Sequence, residues 1–245
     1  MRYDVALVSS DWHRRPETPI AYRDLRFLQM AAEMNVPAVI NDDLLDLIIF
    51  GIDQYSDSIV VRSLQESIPP RGVFLTLGNH SVRLSWLRRL FKDTPEVRIA
   101  RSWDLEIGGH LWHFEHGHRF AVDWGPLGPL YTAIAESFLY VNPKLWYGIS
   151  KRCGWVTSAH KTKAIDAGGI RESQKYALAT WAIWARAVKY AIKHQVNVAI
   201  GHTHQAVVLP VYQGLNSFQV ADSGDFKEDG SYLVIDGTGA RVEWL

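Results

Sequence analysis

The chain has a single cysteine, Cys153. That excludes an internal disulfide framework and suits a reducing compartment. No apolar run approaches the roughly 18 residues of a membrane-spanning helix, and the opening Met1-Arg2-Tyr3-Asp4-Val5 lacks the apolar core of a signal peptide. A cytoplasmic location is therefore expected, with peripheral membrane contact still open. Charge of one sign is not in excess, since lysine plus arginine and aspartate plus glutamate are 26 each. A balanced chain offers no bulk basic field for a phosphate backbone, so no nucleic-acid partner is expected. Low-complexity tracts and repeats of about 20 to 50 residues are also missing.

What remains is an ordinary folded composition, 47% hydrophobic and 21% charged over 245 residues. This fits one domain, residues 1–245, carrying an insertion. Short buried strands are expected at Val5–Val8, Pro37–Ile40, Val73–Leu77 and Val196–Ile200, with a hairpin over 103–115. Helices are expected over 22–34, with Leu25, Leu28 and Ala32 on one stripe, and over 56–68. From 119 to 195 the pattern turns mainly helical, and four short strands follow it. Early alternation of strand and helix with late hairpins predicts an α/β fold with mixed sheets.

Five of the expected strands end in Asp, Asn or His: Asp11-x-His13, Asp43-x-x-Asp46, Asn79-His80, His116-Gly117-His118 and His202-x-His204. Ligands bind beyond the carboxyl ends of strands in open α/β sheets, so the five endings are expected to converge. Carboxylates, imidazoles and an amide oxygen suit borderline divalent ions rather than magnesium or calcium. The donors exceed what one four-coordinate ion uses and suit a pair of ions. Taken singly, Asp11/His13 reads as a solvated loop, and so does His202/His204. His110 and His113 read as structural, His113 facing away from His116 by alternation.

The quoted motifs, with Gly78 before Asn79 and Gly201 before His202, resemble the signature of the calcineurin-like metallophosphoesterases over residues 5 to 236. The resemblance implies two mixed β-sheets packed as a sandwich flanked by helices, with residues 119–195 as a helical cap. It implies Asp11, His13 and His204 on one metal, Asn79, His116 and His202 on the other, and Asp43 bridging. Two divalent transition ions are implied, manganese first, with zinc and iron as alternatives. A hydroxide between the ions would attack a phosphodiester or pyrophosphate, His80 would assist the leaving oxygen, and Asp46 would orient a ligand. His118, Lys161, Lys163 and Arg171 are candidates for holding substrate.

One departure from the family pattern is Asp42, where the family has glycine. Asp43 keeps the D-x-x-D spacing and is the expected ligand; Asp42→Gly is expected to leave activity equal or better. The second is Ser81, where the family often has an acid. The sequence Val220-Ala221-Asp222-Ser223-Gly224-Asp225-Phe226 and the size of the insertion look like the UDP-2,3-diacylglucosamine pyrophosphatase branch. That implies an amphiphilic, lipid-linked substrate, with the aromatics from Phe138 to Tyr147 offering apolar surface and Trp181, Trp184, Ala185, Val188 and Ile192 read first as a core stripe. The alternatives are a phosphodiesterase acting on nucleotides or small diesters, and a non-catalytic scaffold of the same fold. Oligomeric state is left open.

Overall fold

The structure is a computed structural model that describes residues 1–81, 83–121 and 170–245. Two six-stranded mixed sheets form a sandwich flanked by helices, as expected. In chain order the elements of the first half are β1 (Arg2–Tyr3), β2 (Ala6–Ser10), α1 (Tyr22–Glu33), β3 (Ala38–Asn41), α2 (Leu47–Phe50), α3 (Ile52–Tyr55), α4 (Ile59–Glu66), β4 (Val73–Leu75), α5 (Leu84–Leu90) and β5 (Val97–Ile99). They continue with β6 (Trp103–Ile107), β7 (His110–Phe114), α6 (His118–Ala121), α7 (Ile170–His194), β8 (Asn197–Ile200), β9 (Val207–Gln213), β10 (Asn216–Asp222), β11 (Ser231–Asp236) and β12 (Gly239–Trp244).

One sheet has the order β12-β11-β2-β3-β4-β5 and the other β1-β6-β7-β8-β10-β9. Strands β2, β3, β4 and β5 run parallel, as do β7, β8 and β10, so each sheet gathers several carboxyl ends on one edge. Alternation along β2 and β3 explains why both faces are buried. Val8 and Val39 join Phe74, Leu105, Trp112 and Phe114 between the sheets. Leu7 and Ile40 face the other way, into the layer of α1 and α4, with Phe27, Leu28 and Leu64. On the far side, α7 covers Val198, Ile200 and Val220 with Ile183, Trp184, Ala187 and Ala191.

Two helical faces are rotated from the expected stripes. Helix α1 buries Asp24, Phe27, Leu28 and Ala31, while Leu25 is exposed. The reason is Asp24, whose carboxylate caps the Ala21 N–H and takes a two-pronged contact from Arg14. In α7 Trp181 is exposed, because the Trp184 indole N–H is the one aimed inward, at Asp222. Thus residues 170–194 of the expected insertion form a helix lying on the sheet. The aromatics from Phe138 to Tyr147 lie outside the described residues.

Candidate metal centre

The site begins where β-pairing outlives the strands. Past Ser10 and Asn41 the parallel ladder continues as Asp11 N–H to Asp42 O, His13 N–H to Asp43 O and Arg14 N–H to Leu44 O, then Asp46 N–H back to Arg14 O. The Tyr55 hydroxyl fixes the same loop by donating to Arg14 O at 2.6 Å. Asp11, His13, Asp43, His202 and His204 all have left-handed backbone, with φ of 58°, 47°, 55°, 72° and 58°. Among the described non-glycine residues only Asn35 and Gln195 share that region. Left-handed φ is uncommon for residues with a side chain and is held only where the surroundings over-determine it; it concentrates at ligand-binding positions.

The two sheets are sewn together at this edge. Asn41 donates its amide to Ala199 O, and the Ser10 and Ser223 hydroxyls meet at 2.8 Å. The His202 N–H donates to Asp11 Oδ2 at 2.9 Å. Gly78 and Gly201 permit the approach: a Cβ on Gly78 would overlap the Asp43 backbone and carboxylate, and one on Gly201 the Ser10 side chain and Asp11 Oδ2.

Three possible donor groups result: two are the expected sets, and the third, His13, Asp46 and His80, shares His13 with the first. Ligand atoms of Asp11, His13 and His204 lie within 4.8 Å of one another, as do those of Asp43, His116 and His202. Asn79 completes the second set, its Oδ1 2.9 Å from His116 Nε2. In the first set His13 Nδ1 points at Asp46 and His204 Nδ1 at Asp225, so both Nε2 atoms turn toward Asp11 Oδ1, at 3.7 and 3.5 Å. That buried oxygen has no hydrogen-bond partner among the described residues. In the second set His116 Nδ1 faces the carbonyl of Asn41, which only accepts. Its Nε2 then shares one spot with acceptors on Asn79, Asp43 and His202, the last two at 3.2 and 3.1 Å. This convergence of carboxylate, imidazole and amide donors could hold a borderline divalent ion.

Electrostatics agree. Burial opposes charge on every group here, yet His204 and His13 hold Asp11 well below the usual carboxylate range, and His116 does the same for Asp43. Against burial, Asp43 and Asp11 push His116 up to about 10. His202 is driven down to about 3 by burial and by His116. Burial and the facing charges thus shift the two imidazoles of the second set in opposite directions.

His80 and Asp46 lie alongside. Asp46 Oδ1 is 2.8 Å from both His13 Nδ1 and His80 Nδ1, and the His80 N–H donates to Asp43 Oδ1. The ring of His118 is 5.6 Å from that of His116, and its buried Nδ1 has no hydrogen-bond partner among the described residues. Lys161 and Lys163 lie outside the described residues, and only the backbone of Arg171, in the first turn of α7, is described. His113 is away from the site, between Asp104 and Glu115 on the α7 side.

Asp225, behind His204, is a site residue that the sequence motifs do not flag; its one signal is its place just past a strand end, like the others. Asp42 also differs from expectation. Its carboxylate turns away from the metal donors and accepts from Gly78 N–H at 2.8 Å and Leu44 N–H at 2.9 Å. Burial and the adjacent Asp43 push it up to about 6. Its backbone is not left-handed, so glycine has no conformational advantage there. Asp42→Gly is accordingly expected to destabilise, by about 1–3 kcal/mol for the stranded Gly78 N–H, rather than to be neutral or favourable. A urea midpoint lowered in the variant supports this, and an unchanged one contradicts it.

No protein-family model matches the sequence, and no curated protein matches it. Similar solved structures include an archaeal phosphodiesterase, with 15% identity over 98% of this chain and 99% of that one and a TM-score of 0.46. They also include Vps29 from Entamoeba histolytica, as a single mutant with 12% identity and a TM-score of 0.42, and as the wild type complexed with zinc with 13% identity and a TM-score of 0.40. In both, 98% of this chain and 97% of that one are covered. Similarity of this degree assigns no activity to the chain.

Proposed function

We propose that this chain is a dinuclear metal-dependent phosphoesterase of the calcineurin-like type. Asp11, His13 and His204 would hold one ion, Asn79, His116 and His202 the other, with Asp43 between them. The observation that carries this reading is the convergence of two donor sets on left-handed loops at the joined strand ends. Bound cations would supply water activation and positive charge to offset that of a phosphoryl group. Manganese, zinc and iron all suit the donors.

The chain's own residues then orient and donate. Asp46 receives both Nδ1–H groups, which turns His13 Nε2 to the metal donors and leaves His80 Nε2 for a substrate oxygen. His80 would pass a proton to the leaving oxygen. His80→Ala keeps the backbone N–H that reaches Asp43, so its metal content should match the wild type while turnover falls by roughly 10²–10⁴-fold. Metal analysis beside steady-state kinetics tests this; loss of metal in the variant contradicts the assigned role.

The substrate class is a phosphodiester or pyrophosphate. Turnover of bis-p-nitrophenyl phosphate, UDP-diacylglucosamine and its deacylated analogue, with manganese added, divides the amphiphilic reading from the nucleotide or small-diester one. A gain in kcat/KM from the acyl chains favours the first, and no gain favours the second.

A further inference from the structure

Between the two histidines of the His202-Thr203-His204 loop, the Thr203 side chain points away from the metal donors. Its hydroxyl meets Asp222 Oδ2 at 2.6 Å, and the Trp184 indole N–H of α7 donates to the same oxygen at 3.0 Å. Asp222 Oδ1 accepts from the Gly224 N–H at 3.1 Å. Thr203 Oγ1 in turn accepts from the Gln205 N–H, which closes the loop on itself. Asp222 is fully buried at the end of β10 and Thr203 nearly so. A buried carboxylate is costly to keep without purpose, and this one sits outside both donor sets.

We propose that Asp222 is a positioning residue for the metal centre, tying the His202–His204 loop through Thr203 to Trp184 on the covering helix. The inference rests on reading the site as a metal centre. His202 and His204 have φ of 72° and 58°, conformations that a loop relaxes from unless held. Thr203, the residue between them, anchors the loop through its side chain without occupying a ligand position. Asp222 sets the loop from below, as Asp225 sets the His204 ring. Outer partners of metal ligands typically change affinity by about 10- to 100-fold when removed.

The test uses the full chain, stripped of metal, with manganese binding measured by calorimetry and melting measured in chelator. Thr203→Val removes the hydroxyl and keeps the shape, and Thr203→Ser keeps the hydroxyl. The expected result is manganese affinity weakened by about tenfold or more in Thr203→Val and restored to near the wild type in Thr203→Ser. Equal affinity in all three, or equal loss in both variants, overturns the proposal, because the hydroxyl would then not matter. If Thr203→Val does not fold, Trp184→Phe withdraws the other donor from the helix side. Weakened manganese binding with near-normal metal-free melting supports the proposal, and wild-type affinity overturns it. A wild-type chain that binds no manganese, zinc or iron overturns the metal reading itself, and is thereby distinguished from failure of the positioning role.

Discussion

Asp43→Asn is expected to lose more activity than any other single substitution in the site. On the proposed reading Asp43 is the carboxylate common to both ions; its Oδ1 accepts from the His80 N–H, and its Oδ2 lies 3.2 Å from His116 Nε2. Asparagine preserves shape but has one oxygen. If that oxygen keeps the His80 N–H, the amide NH₂ turns toward His116, placing hydrogens where the donors of the second set converge. The negative charge that raises His116 to about 10 is lost as well. Removing an outer partner of a metal ligand costs about 10- to 100-fold, so loss of the shared carboxylate should exceed about a hundredfold in kcat/KM, with metal content reduced. Kinetics and elemental analysis on the same preparation measure both. A variant with wild-type activity would remove Asp43 from the centre of the account.

Gly78→Ala is expected to have the largest effect on stability and metal content together. The new Cβ would lie 2.6 Å from the Asp43 backbone nitrogen and closer still to its carboxylate. Neither atom can yield easily, because Asp43 is fixed by the His13 N–H on its carbonyl and the His80 N–H on its side chain. Gly78 also donates its own N–H to the Asp42 carboxylate, which pins the loops after β3 and β4 together. Overpacking of this kind costs about 1–3 kcal/mol, sometimes more. The variant should show a lowered urea midpoint and weakened metal binding. Unchanged values in both would mean that the loops slide freely, against the geometry described.

Most of the site was legible in the sequence because each donor follows a short apolar strand, and a parallel strand end is where ligand chemistry gathers. The motif glycines were legible as a pattern; their physical reason, the close approach of Gly78 to Asp43 and of Gly201 to Ser10, appears only in three dimensions. The contact made by Asp42 is hidden for the same reason, since its partner is a backbone N–H from a different strand ending. Asp225 lies in a Ser-Gly-Asp turn whose composition is common to many turns, and only its reach to His204 distinguishes it. Among the elements, α5 carries no side-chain cap and β5 is three residues long with Arg98 at its centre, so neither leaves a pattern to read. The rotated faces of α1 and α7 have a shared cause. In each a polar contact, Arg14 with Asp24 or Trp184 with Asp222, decides which side turns inward, and hydrophobic periodicity cannot see it.

The central claim is that the strand-end donors form a centre for paired cations and that hydrolysis depends on it. The direct measurement is elemental analysis of the purified chain loaded with manganese, paired with hydrolysis of bis-p-nitrophenyl phosphate before and after chelation. The account predicts about two ions per chain, activity lost with the metal and regained when it is returned; a chain that hydrolyses the diester free of transition ions, or one that binds none, would contradict it.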